Sequence, residues 1–172
     1  MNEERRSLKT LIIEDSEDDV LLIINSLKRG DFYPDYTRVD TPHDLKECLK
    51  EDWDIIFCDY SMPTMNGLQA LKIVRQFNIH APFIFVSGTI GEEMAVEAMR
   101  TGAQDYIMKE NLTRLVPATR RELEEAEIRK LRRQVEQKLH FLTHFDELTG
   151  LSNRAELVHG IMEALPQILE SD

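Results

Sequence analysis

The chain has 172 residues, of which 42% are hydrophobic, and a formal net charge of −11 at pH 7. This length suffices for one domain of ordinary size plus an appendage. The acidic balance argues against nucleic acid as a direct partner, because a phosphate backbone requires a basic surface. Two cysteines, Cys48 and Cys58, make a disulfide improbable. The N-terminus lacks a signal-peptide core and no apolar run approaches the roughly 20 residues that span a bilayer, so we expect a cytoplasmic protein without membrane contact.

Apolar runs alternate with amphipathic segments along the first 120 residues. The first run, at 8–15, predicts a strand, and the segment 16–30 predicts a helix with Ser16 as its N-cap and Gly30 as its C-cap. The later predicted elements are strand 33–39, helix 42–50, strand 53–59, helix 67–77, strand 81–88, helix 91–102, strand 103–109 and a helix from about 112. Five strands that alternate with five helices predict an α/β fold, a doubly wound (βα)5 parallel sheet. The flavodoxin-like order 2-1-3-4-5 is a common solution.

Polar side chains stand at the carboxyl ends of the predicted strands. Glu14 and Asp15 end the first strand and Asp59 ends the third, while Ser87 and Lys109 end the fourth and fifth. In the proposed order the first and third strands are neighbours, and ligands bind beyond the carboxyl ends at the switch point between them. We therefore expect three carboxylates, a hydroxyl and an ammonium group to face one crevice.

This set of groups predicts phosphoryl chemistry. Two like charges ~4 Å apart repel by about 1 kcal/mol in water and about 4 kcal/mol at an effective dielectric of 20, so a cation must relieve the acidic cluster. Mg²⁺ suits oxygen ligands where phosphate is also bound. A metal ion, a lysine and a hydroxyl together stabilise charge on a transferring phosphoryl group. Asp59 stands between the acidic pair and the lysine, which makes it the best candidate for a carboxylate nucleophile.

The segments "EDSEDD", "DYSMPTMNG", "VSG" and "DYIMK" resemble the receiver domain of two-component response regulators, over residues 7–120. The resemblance implies that Asp59 accepts a phosphoryl group from a histidine kinase or a phosphotransfer protein. It also implies a Mg²⁺ site formed by the side chains of Asp15 and Asp59, by the backbone carbonyl of Ser61, and by Glu14 through water.

The same resemblance assigns roles on the fourth and fifth strands. Ser87 and Lys109 would hold the phosphoryl oxygens, and Tyr106 matches the switch aromatic that turns inward when Ser87 moves toward the phosphate. One position departs from the family pattern, because Glu110 stands where receivers commonly have a proline in a cis bond. A non-proline cis bond costs roughly 3 kcal/mol, so we expect a trans bond here.

Two other functions are compatible with parts of this pattern. A pseudo-receiver would keep the fold as a protein-interaction module without phosphorylation, although the intact set of polar residues speaks against it. A Mg²⁺-dependent hydrolase with an aspartyl nucleophile usually carries a second acid two residues later, where this chain has Ser61.

The last predicted helix continues past residue 125 without glycine or proline, so residues 121–145 are predicted to form a helical linker. Ile128, Leu131, Val135 and Leu142 fit the a and d positions of a heptad, and Lys138 occupies one d position. The pattern spans about two heptads, fewer than a coiled-coil assignment requires. It is compatible with a parallel homodimeric coiled coil and with a solvated linker held by Glu–Arg pairs.

The segment from Asp146 to Arg154, "DELTGLSNR", resembles the opening signature of a diguanylate cyclase (GGDEF) domain. A histidine box of a sensor kinase fits poorly, since Gly150 stands where that motif has proline. We therefore expect residues 146–172 to be the N-terminal remnant of a GGDEF domain, helical from about 153 to 165. The chain ends before the strand with the Gly-Gly-Asp/Glu-Glu-Phe turn, so this fragment is not expected to make cyclic di-GMP, although its parent is.

Overall fold

The computed structural model describes residues 7–88 and 92–144 together with 151 and 153. The chain divides into two compact units, residues 1–126 and 127–172. The first unit holds an α/β domain. In the second unit the described residues are mainly the C-terminal part of a long helix.

A five-stranded parallel sheet forms the centre of the first unit. Its strands are β1 (Ser7–Ile13), β2 (Tyr33–Val39), β3 (Ile55–Cys58), β4 (Phe83–Ser87) and β5 (Asp105–Met108). Their order is β2-β1-β3-β4-β5, which confirms the predicted flavodoxin-like topology. Glu14, Asp59 and Lys109 lie one residue past the strands that they were predicted to end.

Helices cover both faces of the sheet. They are α1 (Glu17–Arg29), α2 (Pro42–Cys48), α3 (Gly67–Gln76), α4 (Glu92–Thr101) and α5 (Leu115–His144), and a 3-10 segment (Lys109–Arg114) precedes α5. The final helix was predicted to begin near 112. It begins three residues later, because Asn111 has non-helical dihedral angles (φ −130°, ψ 58°). The predicted trans bond between Lys109 and Glu110 is confirmed, since the described residues contain no cis peptide.

Two apolar layers hold these helices on the sheet. On one face α1 buries Val20, Ile23, Ile24 and Leu27, and the start of α5 joins this layer. The other face packs α2, α3 and α4 against side chains such as Phe83 and Phe85. Every residue of β3 and β4 is buried, as expected for strands covered on both sides.

Local hydrogen bonds fix where the helices start. Ser16 Oγ accepts from the backbone N–H of Asp19 (3.3 Å) at the start of α1, in the predicted capping position. Asn66 and Gln69 form a reciprocal capping box at the start of α3, with bonds of 2.8 and 3.1 Å. Both helices therefore begin at a fixed distance from the strand that precedes them.

Gly67 begins α3, as its position in the sequence indicated. It also lies so close to neighbouring atoms that a side chain would not fit there. Its N–H donates to the carbonyl of Tyr60 (2.9 Å), which closes the β3–α3 loop. A Cβ at this position would lie 2.5 Å from Phe85 Cε1 and 2.8 Å from the carbonyl oxygen of Asp59. Any side chain here would displace the loop that carries Asp59.

The helix α5 extends to His144, so the predicted long C-terminal helix is confirmed. Among residues 127–144, the side chains of Ile128, Leu131, Val135 and Leu142 are exposed. The predicted helix at 153–165 lies outside the described residues. Over the part of the chain that the structure describes, no helix has the length and apolar character needed to cross a bilayer.

Candidate functional site

Four of the predicted site residues lie at the carboxyl edge of the sheet, in the order given by the strands. Glu14 follows β1, Asp59 follows β3, Ser87 ends β4, and Lys109 follows β5. Two backbone bonds extend the strand pairing past the strand ends: the N–H of Glu14 donates to Val39 (3.0 Å) and that of Asp59 to Ile13 (2.9 Å). The two acids are therefore held by the sheet itself.

Three carboxylates meet at this edge. Glu14, Asp15 and Asp59 each place one carboxylate oxygen within 4.8 Å of the others. Glu14 and Asp59 are only 1% and 7% exposed, whereas Asp15 is open to solvent. An all-carboxylate donor set with one accessible member fits a hard divalent cation such as Mg²⁺, which retains water ligands on its open side. The backbone N–H of Ser61, the fourth predicted ligand residue, lies 3.4 Å from Asp59 Oδ1.

Lys109 joins the acids at the centre of the site. Its Nζ lies 2.9 Å from Glu14 Oε2, 3.1 Å from Asp59 Oδ2 and 2.6 Å from Asp19 Oδ2. Sequence reasoning missed Asp19 as a partner of Lys109. The signal that could have found it is its place in the first turn of α1, because helical side chains lean toward the N-terminus and hence toward the strand edge.

The ionisation of the cluster reflects burial and pairing. Burial raises the pKa of Glu14, and this effect outweighs the hydrogen bond from Lys109, which acts in the opposite direction. Burial alone would lower the pKa of Lys109, yet the bonds to Asp19 and Glu14 and the charge of Asp59 raise it above its ordinary value. Lys109 is therefore a fixed cation at every physiological pH.

Ser87 and Tyr106 lie on the neighbouring strands β4 and β5. Ser87 Oγ is buried and makes no hydrogen bond of regular geometry among the described residues. The neighbouring Tyr106 hydroxyl is nevertheless close enough for Ser87 to oppose, weakly, the effect of burial on the pKa of Tyr106. The hydroxyl of Tyr106 donates to Met108 Sδ (3.3 Å), and burial raises the pKa of this half-buried phenol. A thioether sulfur is a weak acceptor, so this bond holds the Tyr106 side chain only loosely.

Arg38 is a second residue that sequence reasoning missed. It stands on β2, and its Nη1 donates to the carbonyl oxygens of Glu14 and Asp15, at 3.2 Å each. The same guanidinium group pairs with Asp40 at 3.5 Å. Arg38 thus fixes the backbone of the β1–α1 loop that carries the two acids, and no local sequence pattern marks such a contact.

Comparison with known proteins places this site in a family. Residues 10–120 match the response regulator receiver domain. The transcriptional regulatory protein SpaR of Bacillus subtilis is 30% identical over 156 residues, which cover 87% of this chain and 66% of SpaR. The transcriptional regulatory protein ZraR of Klebsiella oxytoca is 27% identical over 58% of this chain and 22% of its own length. In fold, the chain resembles the receiver domain of the Francisella response regulator 1452, with a TM-score of 0.60 and 23% identity over 69% of this chain and 98% of that one.

The chain belongs to the response regulator receiver domain family, and its first unit is the receiver domain of a two-component response regulator. Such domains are phosphorylated by histidine kinases and generally bind Mg²⁺ through an acidic pocket. The match covers the strand ends described above. The chain spans less than two thirds of the length of the curated relatives, at 66% of SpaR and 22% of ZraR.

Replacement of Lys109 by methionine should destabilise the domain, because three carboxylates lose their shared cation. We expect the free energy of unfolding at pH 7 to fall by about 1–3 kcal/mol, below the usual figure for a fully buried pair because the site is partly open. Since the raised pKa of Lys109 keeps it charged, its contribution is complete below the ordinary lysine pKa and is lost only at strongly alkaline pH. On the acid side, the deficit should shrink as pH falls through the raised pKa of Glu14, because protonation relieves the repulsion.

Urea denaturation at about pH 4 to 8, from the ordinary carboxyl pKa up to neutral pH, measures this deficit. Lys72→Met, which removes an exposed lysine on α3, is the matched control and should change stability little. Equal stability of Lys109→Met and the wild type at every pH would show that the ion-pair cluster does not stabilise the fold.

Proposed function

We propose that Asp59 accepts a phosphoryl group from a histidine kinase or phosphotransfer protein, in a cytoplasmic signalling pathway. The observation that carries this proposal is the bond between Lys109 Nζ and Asp59 Oδ2 (3.1 Å) at the carboxyl edge of the sheet. Asp59 Oδ1 is held by the backbone N–H of Tyr60 (2.6 Å), so the carboxylate is fixed in orientation. The carboxylate oxygen attacks phosphorus as the P–N bond to the donor histidine breaks, and Lys109 offsets the charge on the phosphoryl oxygens.

Mg²⁺ is the cofactor of this proposal. Its ligands would be the side chains of Asp15 and Asp59, the backbone carbonyl of Ser61 and, through water, Glu14. When bound, the ion neutralises charge on the acids and on the phosphoryl oxygens. Arg38 supports this arrangement from outside, because its two bonds to the Glu14 and Asp15 carbonyls hold the loop without taking up a carboxylate oxygen.

Ser87 supplies the second phosphoryl contact. A buried hydroxyl without a partner costs roughly 1–3 kcal/mol, and a phosphoryl oxygen would remove that cost by accepting its hydrogen bond. Movement of Ser87 toward the phosphate would leave room for Tyr106 to turn inward, which is the proposed switch. To drive such a switch from 1:99 to 99:1 requires about 5.5 kcal/mol of differential stabilisation, a magnitude within reach of several charge-assisted bonds.

Labelling with a small phosphodonor tests the phosphoacceptor. With acetyl phosphate and Mg²⁺, we expect the intact mass of the wild type to increase by one phosphoryl group, and Asp59→Asn to abolish this increase. Asp52→Asn, which removes an exposed acid before β3, is the control and should be labelled normally.

The outcomes separate the proposal from its rivals. If the wild type neither gains mass nor binds beryllofluoride, the pseudo-receiver function replaces the one proposed. Steady hydrolysis of general phosphate esters would instead identify a hydrolase. Labelling that persists in Asp59→Asn would show that another residue accepts the group.

We propose further that residues 121–145 link the receiver to its output and pair with a second copy of the chain. Support comes from the exposed side chains of Ile128, Leu131, Val135 and Leu142, which recur at heptad spacing and which a parallel partner helix would cover. The exposed ion pair between Arg132 and Glu136 (2.9 Å) also fits a solvated helix, so association has to be measured.

Mass in solution, by sedimentation equilibrium with and without beryllofluoride, measures association. We expect a dimer that beryllofluoride strengthens, and a monomer when Leu131 and Val135 are both replaced by glutamate, because two charges would enter the apolar seam. Arg133→Glu, which introduces the same charge outside the seam, should leave the dimer intact. A wild type that stays monomeric under both conditions would contradict the dimer and favour the solvated linker.

We propose a diguanylate cyclase as the output domain in the parent protein, with residues 146–172 as the start of its GGDEF domain. The support is the sequence from Asp146 to Arg154, most of which lies outside the described residues. SpaR and ZraR are named transcriptional regulators, so a DNA-binding output is the alternative. The full-length protein should convert GTP to cyclic di-GMP, and more of it with beryllofluoride. Specific DNA binding without any such product would replace the cyclase with a DNA-binding output.

A further inference from the structure

Asp19 contacts the central lysine of the site, although the receiver resemblance assigned it no role. Its Oδ2 lies 2.6 Å from Lys109 Nζ, the shortest of the three contacts that this ammonium group makes. Asp19 belongs to the first turn of α1, and its backbone N–H is bound separately, by Ser16 Oγ (3.3 Å). The side chain of Asp19 is therefore not needed to cap the helix.

The three contacts use the whole donor capacity of Lys109. A lysine ammonium group has three N–H bonds, and Glu14, Asp19 and Asp59 provide one carboxylate for each. Phosphorylation of Asp59 converts its bond to Lys109 into a bond to the modified group, so a second bond from Lys109 to the phosphoryl oxygens requires it to release or share Glu14 or Asp19. The phosphoryl group therefore competes with these carboxylates for the N–H donors of Lys109.

Burial decides which partner is released. The side chain of Glu14 is 1% exposed and that of Asp59 9%, whereas that of Asp19 is 28% exposed. A buried carboxylate that loses its partner is destabilised by its full desolvation free energy, whereas a carboxylate near the surface becomes hydrated again. Asp19 is the partner that Lys109 can leave most easily.

We propose that Asp19 is a positioning residue that holds Lys109 while Asp59 is unmodified and competes with the phosphoryl group for it. This inference rests on the function proposed for Asp59. Asp19 lowers the affinity of the site for a phosphoryl group, because Lys109 can give the new oxygens a second hydrogen bond only by loosening its shortest ion pair. The same carboxylate strengthens the attraction of the site for a divalent cation, since it adds negative charge beside Glu14.

A general role of Asp19 in stabilising α1 is the simpler alternative. Acidic residues in a first turn interact favourably with the helix dipole, and Glu17 and Asp18 share this turn. Among the described contacts, however, only Asp19 of these three bonds to Lys109. Asp18 has the same side chain, is exposed and differs by one position, so it provides a control for charge and for the helix dipole.

Titration with beryllofluoride at saturating Mg²⁺, followed by fluorescence of the single tryptophan or by calorimetry, tests the proposal. Asp19→Asn keeps the shape but removes the charge, and we expect it to bind beryllofluoride roughly three- to tenfold more tightly than the wild type. Its affinity for Mg²⁺ alone should fall, because the site loses one negative charge. Asp18→Asn should change neither affinity by more than about twofold, and Asp19→Glu, which keeps the carboxylate, should stay within about threefold of the wild type.

The opposite signs separate the proposed role from structural damage, which would weaken both ligands and lower the urea midpoint. If Asp19→Asn binds beryllofluoride no more tightly than the wild type does, the role of Asp19 is overturned while the phosphoacceptor role of Asp59 stands. If Asp18→Asn gives the same gain, the effect is one of general charge and the proposal fails. If the wild type itself binds no beryllofluoride, both the function proposed for Asp59 and this inference fail.

Discussion

The functional edge of this domain depends on the ammonium group of Lys109. Four carboxylates, those of Glu14, Asp15, Asp19 and Asp59, lie near it, and three of them bond to it directly. Two like charges ~4 Å apart repel by about 4 kcal/mol at an effective dielectric of about 20. One fixed cation makes the cluster tolerable, but it leaves an excess of negative charge. The edge therefore still attracts further positive charge, which is what a magnesium-dependent site requires.

The backbone around the edge keeps these charges in place. Parallel pairing continues past the strands through the N–H groups of Glu14 and Asp59, so the sheet restrains the backbone of both acids. Gly67 allows the loop after Asp59 to approach Phe85 and the sheet, and Arg38 fastens the loop after β1 from the neighbouring strand. Because each loop has its own anchor, the protein itself restrains the positions of both loops.

Several features of the edge oppose stability. Glu14 and Asp59 are buried acids, and Ser87 has a buried hydroxyl for which the described residues provide no partner. Such groups lower the stability of the unmodified domain, and a ligand that satisfies them recovers that free energy. A receiver needs a difference of this kind between two states, since a ligand shifts an equilibrium only by its differential affinity for them. In the proposed switch, the groups that destabilise the unmodified domain would also provide the free-energy difference between its two states.

The sequence by itself determined the topology and the main residues of the site. Buried parallel strands are continuous apolar runs and helix caps are local motifs, so strand order, the N-cap of α1 and the strand-end positions of Glu14, Asp59, Ser87 and Lys109 were all predictable. Tertiary structure alone decided the contacts of Asp19 and Arg38 and the true constraint on Gly67. Asp19 is separated from Lys109 by 90 residues, and the sheet brings them together. Local periodicity specifies which face a residue occupies, but it carries no information about which distant side chain meets it there.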